Sequence, residues 1–169
     1  MDINDSRVLF NNGDVLPLEC PPIIVADLIR TPENLGNLIR LAANIGIRKV
    51  VSIERVPLKE SKIRKTACMA WDYVELLHVT EEALFSVIPS DYTLVAVETS
   101  AQSQNLYTYS LPQKTAFVVG NEVHGIRQEL LDCCPNHVHI PMTGPATSMN
   151  VSHAASVVLF EWVRQWLCK

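Results

Sequence analysis

The 169-residue sequence predicts an α/β domain with a mainly parallel sheet flanked by helices, and three observations carry that reading. Short apolar runs alternate with stretches of helical length. The runs are continuous rather than alternating, as in strands covered on both faces. No internal repeat, low-complexity tract or glycine/serine linker divides the chain. In order, the runs are residues 23–26 (Ile-Ile-Val-Ala), 50–53 (Val-Val-Ser-Ile), 94–97 (Leu-Val-Ala-Val), 117–119 (Phe-Val-Val) and 138–140 (Val-His-Ile), with 74–79 as a weaker sixth. Helical patterns fall between them at 35–45, 61–69, 80–87 and 128–133. That order defines the α/β class. With 48% hydrophobic residues, the chain suffices for one domain spanning residues 1–169, with its core at about 22–168.

The last segment, residues 150–169, has another pattern. Val151, Ala154, Ala155, Val157, Val158, Leu159, Phe160, Trp162, Val163, Trp166 and Leu167 leave only a thin polar stripe of His153, Glu161, Arg164 and Gln165. A helix that is apolar nearly all round needs a second surface to bury against. Trp162 and Trp166, four residues apart, fall on one face, and two tryptophans left in water make a patch that soluble monomers seldom carry. A homodimer built through this C-terminal helix is therefore expected.

Composition excludes other classes. No apolar run approaches the roughly 20 residues that span a bilayer, and residues 1–14 contain no apolar signal region. The expectation is a cytoplasmic protein with no membrane partner. Cys20, Cys68, Cys133, Cys134 and Cys168 show no CxxC pairing, which points to reduced, mostly buried thiols and no metal site. The net charge is −4, yet between Arg30 and Lys65 nine basic residues face three acidic ones. Such a block can hold a phosphate backbone, or it can be a solvated helix face.

Strand-to-helix turns at the carboxyl ends of parallel strands are where α/β proteins place ligands, and three turns stand out. The first runs Thr31-Pro32-Glu33-Asn34-Leu35-Gly36-Asn37-Leu38-Ile39-Arg40. Asn34 is suited to cap the helix, Gly36 leaves room for something to approach the backbone, and Arg40 follows six residues after Asn34. The second, Gly120-Asn121-Glu122-Val123-His124-Gly125, follows an apolar strand and brackets a carboxylate between glycines. It is neither GxGxxG nor a Walker sequence, and no GxSxG elbow occurs, so a nucleotide hydrolase or serine hydrolase is poorly supported. The third runs from Ile140-Pro141-Met142 through Ser148-Met149-Asn150-Val151-Ser152 and offers more hydroxyl and amide groups at a helix N-terminus than one cap requires.

Together the turns resemble the three signature motifs of the SpoU/TrmH family of RNA ribose methyltransferases. N-x-G-N-x-x-R is matched by Asn34, Gly36, Asn37 and Arg40. G-x-E-x-x-G is matched by Gly120, Glu122 and Gly125. The I-P-M strand end followed by S-L-N-V-S is matched by Ile140-Pro141-Met142 and residues 148–152. Met149 stands where leucine is usual, a volume-conserving change, and residues 65–70 (Lys-Thr-Ala-Cys-Met-Ala) depart from the small-residue segment common there. The overall acidic charge is also unusual for an enzyme of folded RNA.

The resemblance implies a sheet whose C-terminal part is threaded into a trefoil knot, an exception to the usual rules of chain connection. It implies S-adenosylmethionine bound by Val97, Glu98, Thr99, Gly120, Asn121, Ile140, Met142, Ser148, Met149 and Asn150. It implies transfer of the methyl group to a ribose 2′-hydroxyl of RNA, with Arg40 as the catalytic arginine. Asn34 would hold Arg40 or the ribose, Glu122 would brace its loop through backbone amides, and Ser148 and Asn150 would fix the third loop. Arg40 acts either with an adjacent phosphate as proton acceptor or by stabilising the alkoxide. In this setting Arg55, Lys59, Lys62, Arg64 and Lys65 are expected to contact RNA phosphates. tRNA is favoured over rRNA, because no appended RNA-binding domain precedes the catalytic region. The competing readings are a non-catalytic RNA-binding module of the same fold and a Rossmann-type enzyme. The latter wants a glycine-rich turn after the first strand, where Ala26-Asp27-Leu28-Ile29-Arg30 stands instead.

Overall fold

The structure, a computed structural model, describes residues 18–168; the reading of residues 1–14 lies outside them. Strands β1 (Ile23–Asp27), β2 (Lys49–Ile53), β3 (Glu75–Val79), β4 (Thr93–Val97), β5 (Gln104–Asn105), β6 (Thr115–Val119) and β7 (Asn136–His139) alternate with helices α1 (Pro32–Ile45), α2 (Glu60–Ala67), α3 (Leu84–Val87), α4 (Gln128–Asp132) and α5 (Val151–Leu167). The strands form one sheet in the order β3-β2-β1-β6-β4-β7-β5, and every pairing is parallel.

The continuous apolar runs have the cause anticipated for them. All five residues of β1 and of β6 are buried. Ile24, Ala26, Phe117 and Val119 pack on one face with Leu35, Leu38 and Ile39 of α1, Ile63 of α2 and Val158 of α5. Ile23, Val25, Ala116 and Val118 pack on the other face with Leu84, Leu130 and Leu131. Period-two alternation of side chains therefore feeds two cores, and both must be apolar.

Several expectations are corrected. The second helix ends at Ala67, because Cys68 adopts φ 54, and a 3-10 turn, Cys68–Asp72, follows. The pattern at 80–87 condenses to the single turn of α3. Strand β5, two polar residues long, left no apolar signature. Asn34 is the third residue of α1 rather than its cap; Thr31 is the N-cap, and Pro32 starts the helix where its missing N–H costs nothing. The room left by Gly36 is taken by helix α2, since a Cβ there would lie 2.6 Å from Thr66 Cβ and 2.7 Å from Ile63 O.

The tryptophans are corrected too. Trp162 is 1% exposed, and its Nε1 donates to the carbonyls of Pro112 and Gln113 at 3.0 and 3.2 Å. Trp166 Nε1 donates to Leu111 O at 3.0 Å. Gln165 joins them, accepting from Leu111 N and donating to Tyr109 O. The segment around residues 109–113 thus covers α5 from within the chain. Phe160, 53% exposed, is the large apolar side chain that the helix turns outward.

The cysteines are free, but only Cys134 is buried, and burial pushes its thiol up to about 12. Cys68, Cys133 and Cys168 are exposed, so the expectation of mostly buried thiols does not hold. Among the described residues no helix is long and apolar enough to cross a membrane. Nor is there among them a cluster of three or more His, Cys, Asp or Glu able to hold a metal ion.

Candidate active site and cofactor cleft

The strand order changes direction at β1 and β6, and the loops leaving the carboxyl ends of β4, β6 and β7 enclose a cleft of about 400 Å³. Val97, Val119, Val138, Ile140, Met142 and Met149 give it apolar walls; Glu98, Thr99, His139 and Ser148 are among its polar lining groups, together with the whole 120–125 loop. Of the residues expected to bind a cofactor, Val97, Glu98, Thr99, Gly120, Asn121, Ile140, Met142, Ser148 and Met149 line this cleft, whereas Asn150 stands beside it.

The 120–125 loop closes on itself: Asn121 and Gly125 exchange backbone bonds at 3.0 and 2.9 Å, while Asn121 Oδ1 accepts from the amides of Val123 and His124. Gly125 has φ 69, and a Cβ on it would meet Glu98 Oε2 at 2.3 Å. A Cβ on Gly120 would meet Gly125 C at 2.2 Å. Gly120 is thus required by packing within the loop itself, and Gly125 by its left-handed backbone beside Glu98.

Glu122 leaves the cleft and crosses to the first turn. Its carboxylate accepts from Arg30 N and Thr31 N, each at 2.9 Å, and from Asn34 Nδ2 at 2.8 Å. Burial alone would raise its pKa, but these donors outweigh it and hold the carboxyl below its ordinary value. Asn34 Oδ1 in turn accepts from Asn150 Nδ2 at 3.0 Å, and Asn150 Oδ1 accepts from the backbone amide of Ser152 at 2.9 Å and from its hydroxyl at 2.7 Å. The residue types are dictated by polarity. A carboxylate only accepts, so Asn34 must turn its amide nitrogen to Glu122 and its oxygen to Asn150. Asn150 then has its oxygen left for the N-terminus of α5, which offers donors only. Two asparagines and one glutamate thereby tie the three strand-end turns into a single unit.

Arg40 lies one turn beyond Gly36 on α1, exposed, and is not among the residues lining the cleft of its own chain. Arg55, Lys59, Lys62, Arg64 and Lys65 are exposed on and before α2. Arg55 pairs with Glu81 at 3.1 Å, Lys62 with Glu33 at 3.7 Å, and Arg64 lies over the Trp71 ring at 5.5 Å.

Sequence reasoning missed one feature beside the site. Asp27, at the end of β1, is fully buried, and Arg127 grips it through Nε, Nη2 and its backbone amide. A carboxylate closing the run Ile-Ile-Val-Ala was its only signal.

An all-parallel sheet whose switch-point loops surround a cleft, braced by a helix that starts at the cleft's rim, is the architecture of an α/β protein that holds a nucleotide-sized ligand at the carboxyl edge of its strands. The chain belongs to the SpoU rRNA Methylase family, whose model matches residues 21–160. The 23S rRNA (guanosine-2'-O-)-methyltransferase RlmB of Photorhabdus laumondii is 34% identical over 150 residues, covering 88% of this chain and 62% of that protein. The protein of the same name from Escherichia coli K12 is 31% identical over 153 residues, covering 89% and 63%. The chain thus spans less than two thirds of the length of these relatives. A solved structure concerned with 2-OH methylation of C/U34 on tRNA superposes with TM-score 0.76 at 27% identity, covering 88% of this chain and 97% of that one. An AdoMet-bound rRNA methyltransferase from Sinorhizobium meliloti shares the fold, with TM-score 0.80 at 24% identity over 91% of this chain and 60% of that one.

Proposed function

We propose that this chain transfers a methyl group from S-adenosylmethionine to a ribose 2′-hydroxyl of RNA. The observation that carries the reading is the Asn150–Asn34–Glu122 chain, which joins the cleft loops to the helix bearing Arg40. The cleft fits the cofactor: aliphatic walls suit an adenine ring, and Glu98, Thr99 and Ser148 put polar groups in its lining. When bound, S-adenosylmethionine supplies a methyl group on a sulfonium that is already a good leaving group, so the chain's own work is positioning. Glu98 stiffens the cleft by accepting from Thr99 N and Ile126 N, each at 3.0 Å. Arg40 stabilises the charge that develops on the attacking oxygen, whose proton leaves to an adjacent RNA phosphate or to water; a guanidinium only donates and is not the acceptor.

Arg40 stands outside the cleft of its own chain, which supports a homodimer in which Arg40 serves the partner's cleft. With Trp162 buried and Trp166 half-buried and bonded to Leu111, the α5 contribution to that dimer passes to the face of Val157 and Phe160. The threading of the C-terminal part into a knot and the cytoplasmic location belong to the same proposal, as does one domain over residues 1–169. A preference for tRNA is not supported by the curated relatives, which are named for 23S rRNA, so the substrate is put no finer than RNA.

The test incubates the protein with isotopically labelled S-adenosylmethionine and, separately, bulk tRNA and 23S rRNA lacking ribose methylation, followed by nucleoside mass spectrometry. The expected product is a 2′-O-methylnucleoside from one pool. Label on a base, or on neither RNA despite cofactor binding, overturns the reading.

A further inference from the structure

We infer that Asp27 and Arg127, outside the cleft, are positioning residues that set the 120–126 loop against the turn between β1 and α1. The inference rests on the function proposed above. Asp27 is fully buried and the Arg127 side chain is 16% exposed. Arg127 Nη2 reaches Asp27 Oδ1 at 2.6 Å, Nε lies at 3.0 Å from the same oxygen, and the Arg127 amide donates to Oδ2 at 3.0 Å. One carboxylate therefore fixes both the backbone and the side chain of the residue two positions after Gly125. Its neighbour Leu28, in the left-handed region at φ 50, accepts from Asn121 Nδ2 at 2.7 Å. Residues 27 and 28 thus hold the loop at both ends, while Glu122 holds its middle to Arg30, Thr31 and Asn34.

A buried ion pair adds little net stability over an apolar pair, because desolvation offsets most of the attraction. What the fork-to-carboxylate geometry does supply is direction. A displacement of Arg127 passes straight to Gly125 and, through the Asn121–Gly125 backbone pair, across the loop that lines the cleft. Glu81 also touches Arg127 and pairs with Arg55, but it is 40% exposed and more weakly coupled.

The experiment pairs calorimetric titration of S-adenosylmethionine with thermal unfolding. Arg127→Gln leaves a buried carboxylate unpaired and should lower both Tm and cofactor affinity. Asp27→Asn/Arg127→Gln removes both charges and should bring Tm back near wild type, while affinity stays weaker by about tenfold. Affinity that returns together with Tm overturns the inference and leaves the pair a structural ion pair. If the double variant does not fold, Arg127→Lys decides: it keeps the charge and loses the fork. A folded Arg127→Lys protein with wild-type affinity overturns the inference, and a loss of about tenfold supports it. Wild-type protein that binds no cofactor defeats the proposed function instead. Amide exchange at Asn121 and Gly125 then tests the pair, whose role requires faster exchange in Arg127→Lys than in wild type.

Discussion

Glu122→Gln is the sharpest single test of the way the site is assembled. The carboxylate accepts three donors at 2.8–2.9 Å. Glutamine keeps one acceptor oxygen and sets an amide donor against at least one of those donors. A lost bond to a charged acceptor costs about 1.5–3 kcal/mol. Glu122 is exposed to solvent on one side, which returns roughly half of that and leaves about 1–2 kcal/mol. For a domain of this size the drop in Tm is about 2–8 °C. The sign of the pH dependence follows from the depressed pKa. The unfolded chain takes up the proton first, so the stabilisation is complete above the ordinary carboxyl value of 4.5 and is lost as pH falls through the lower folded value. Thermal melts of wild type and variant should therefore differ by a constant amount near neutrality, and the gap should close in acid. A gap that is under about 1 °C, or that persists undiminished in acid, would show that Glu122 is a solvated carboxylate and that the polarity argument for Asn34 and Asn150 is mistaken.

Arg40→Ala should abolish methyl transfer yet leave S-adenosylmethionine affinity within about threefold by calorimetry, and Arg40→Lys should restore little, because a point charge does not replace a fork. Lys59→Ala/Lys65→Ala should weaken RNA binding regardless of sequence and flatten the slope of log K against log salt by about 1.5, with cofactor binding unchanged; an unchanged slope returns the segment to a solvated face. Phe160→Glu should shift sedimentation towards monomer and cost activity while the protein stays folded, whereas Trp162→Glu, placing a charge in the core, should unfold it. A folded Trp162→Glu protein would contradict the burial described for that helix.

The fold class was legible because both faces of β1 and β6 are covered, and that condition writes itself as unbroken apolar runs. Asn34 could be singled out as a cap, Glu122 as a carboxylate between glycines and Asn150 as one polar group more than a cap requires, but not the bonds that join them. Their bonds span 88 and 116 positions, and no local pattern encodes which amide faces which. The role of Gly36 was legible as a close approach but not what approaches, because a glycine cannot say whether a ligand or a helix comes near. The tryptophans misled for a related reason: apolar girth demands a covering surface, and the segment that supplies it, residues 109–113, is irregular and partnered through its carbonyls. The Asp27–Arg127 pair, 100 positions apart, left only a single acidic residue in an apolar strand as its trace.

The chain of amides from Asn150 to Glu122 also orders events during folding. The β1–β6 pairing already closes the long loop between Asn34 and Glu122, so that bond comes with the sheet, whereas the Asn150–Asn34 bond waits for α5 to dock. Until α5 docks, Asn34 has no partner for its oxygen, and the turn that presents Arg40 is tied to the cleft loop on one side only. Ser148, Met149, Val151 and Ala154 line the cleft at and just before the start of α5, so a chain with its sheet formed and α5 undocked offers the ligand only part of its walls.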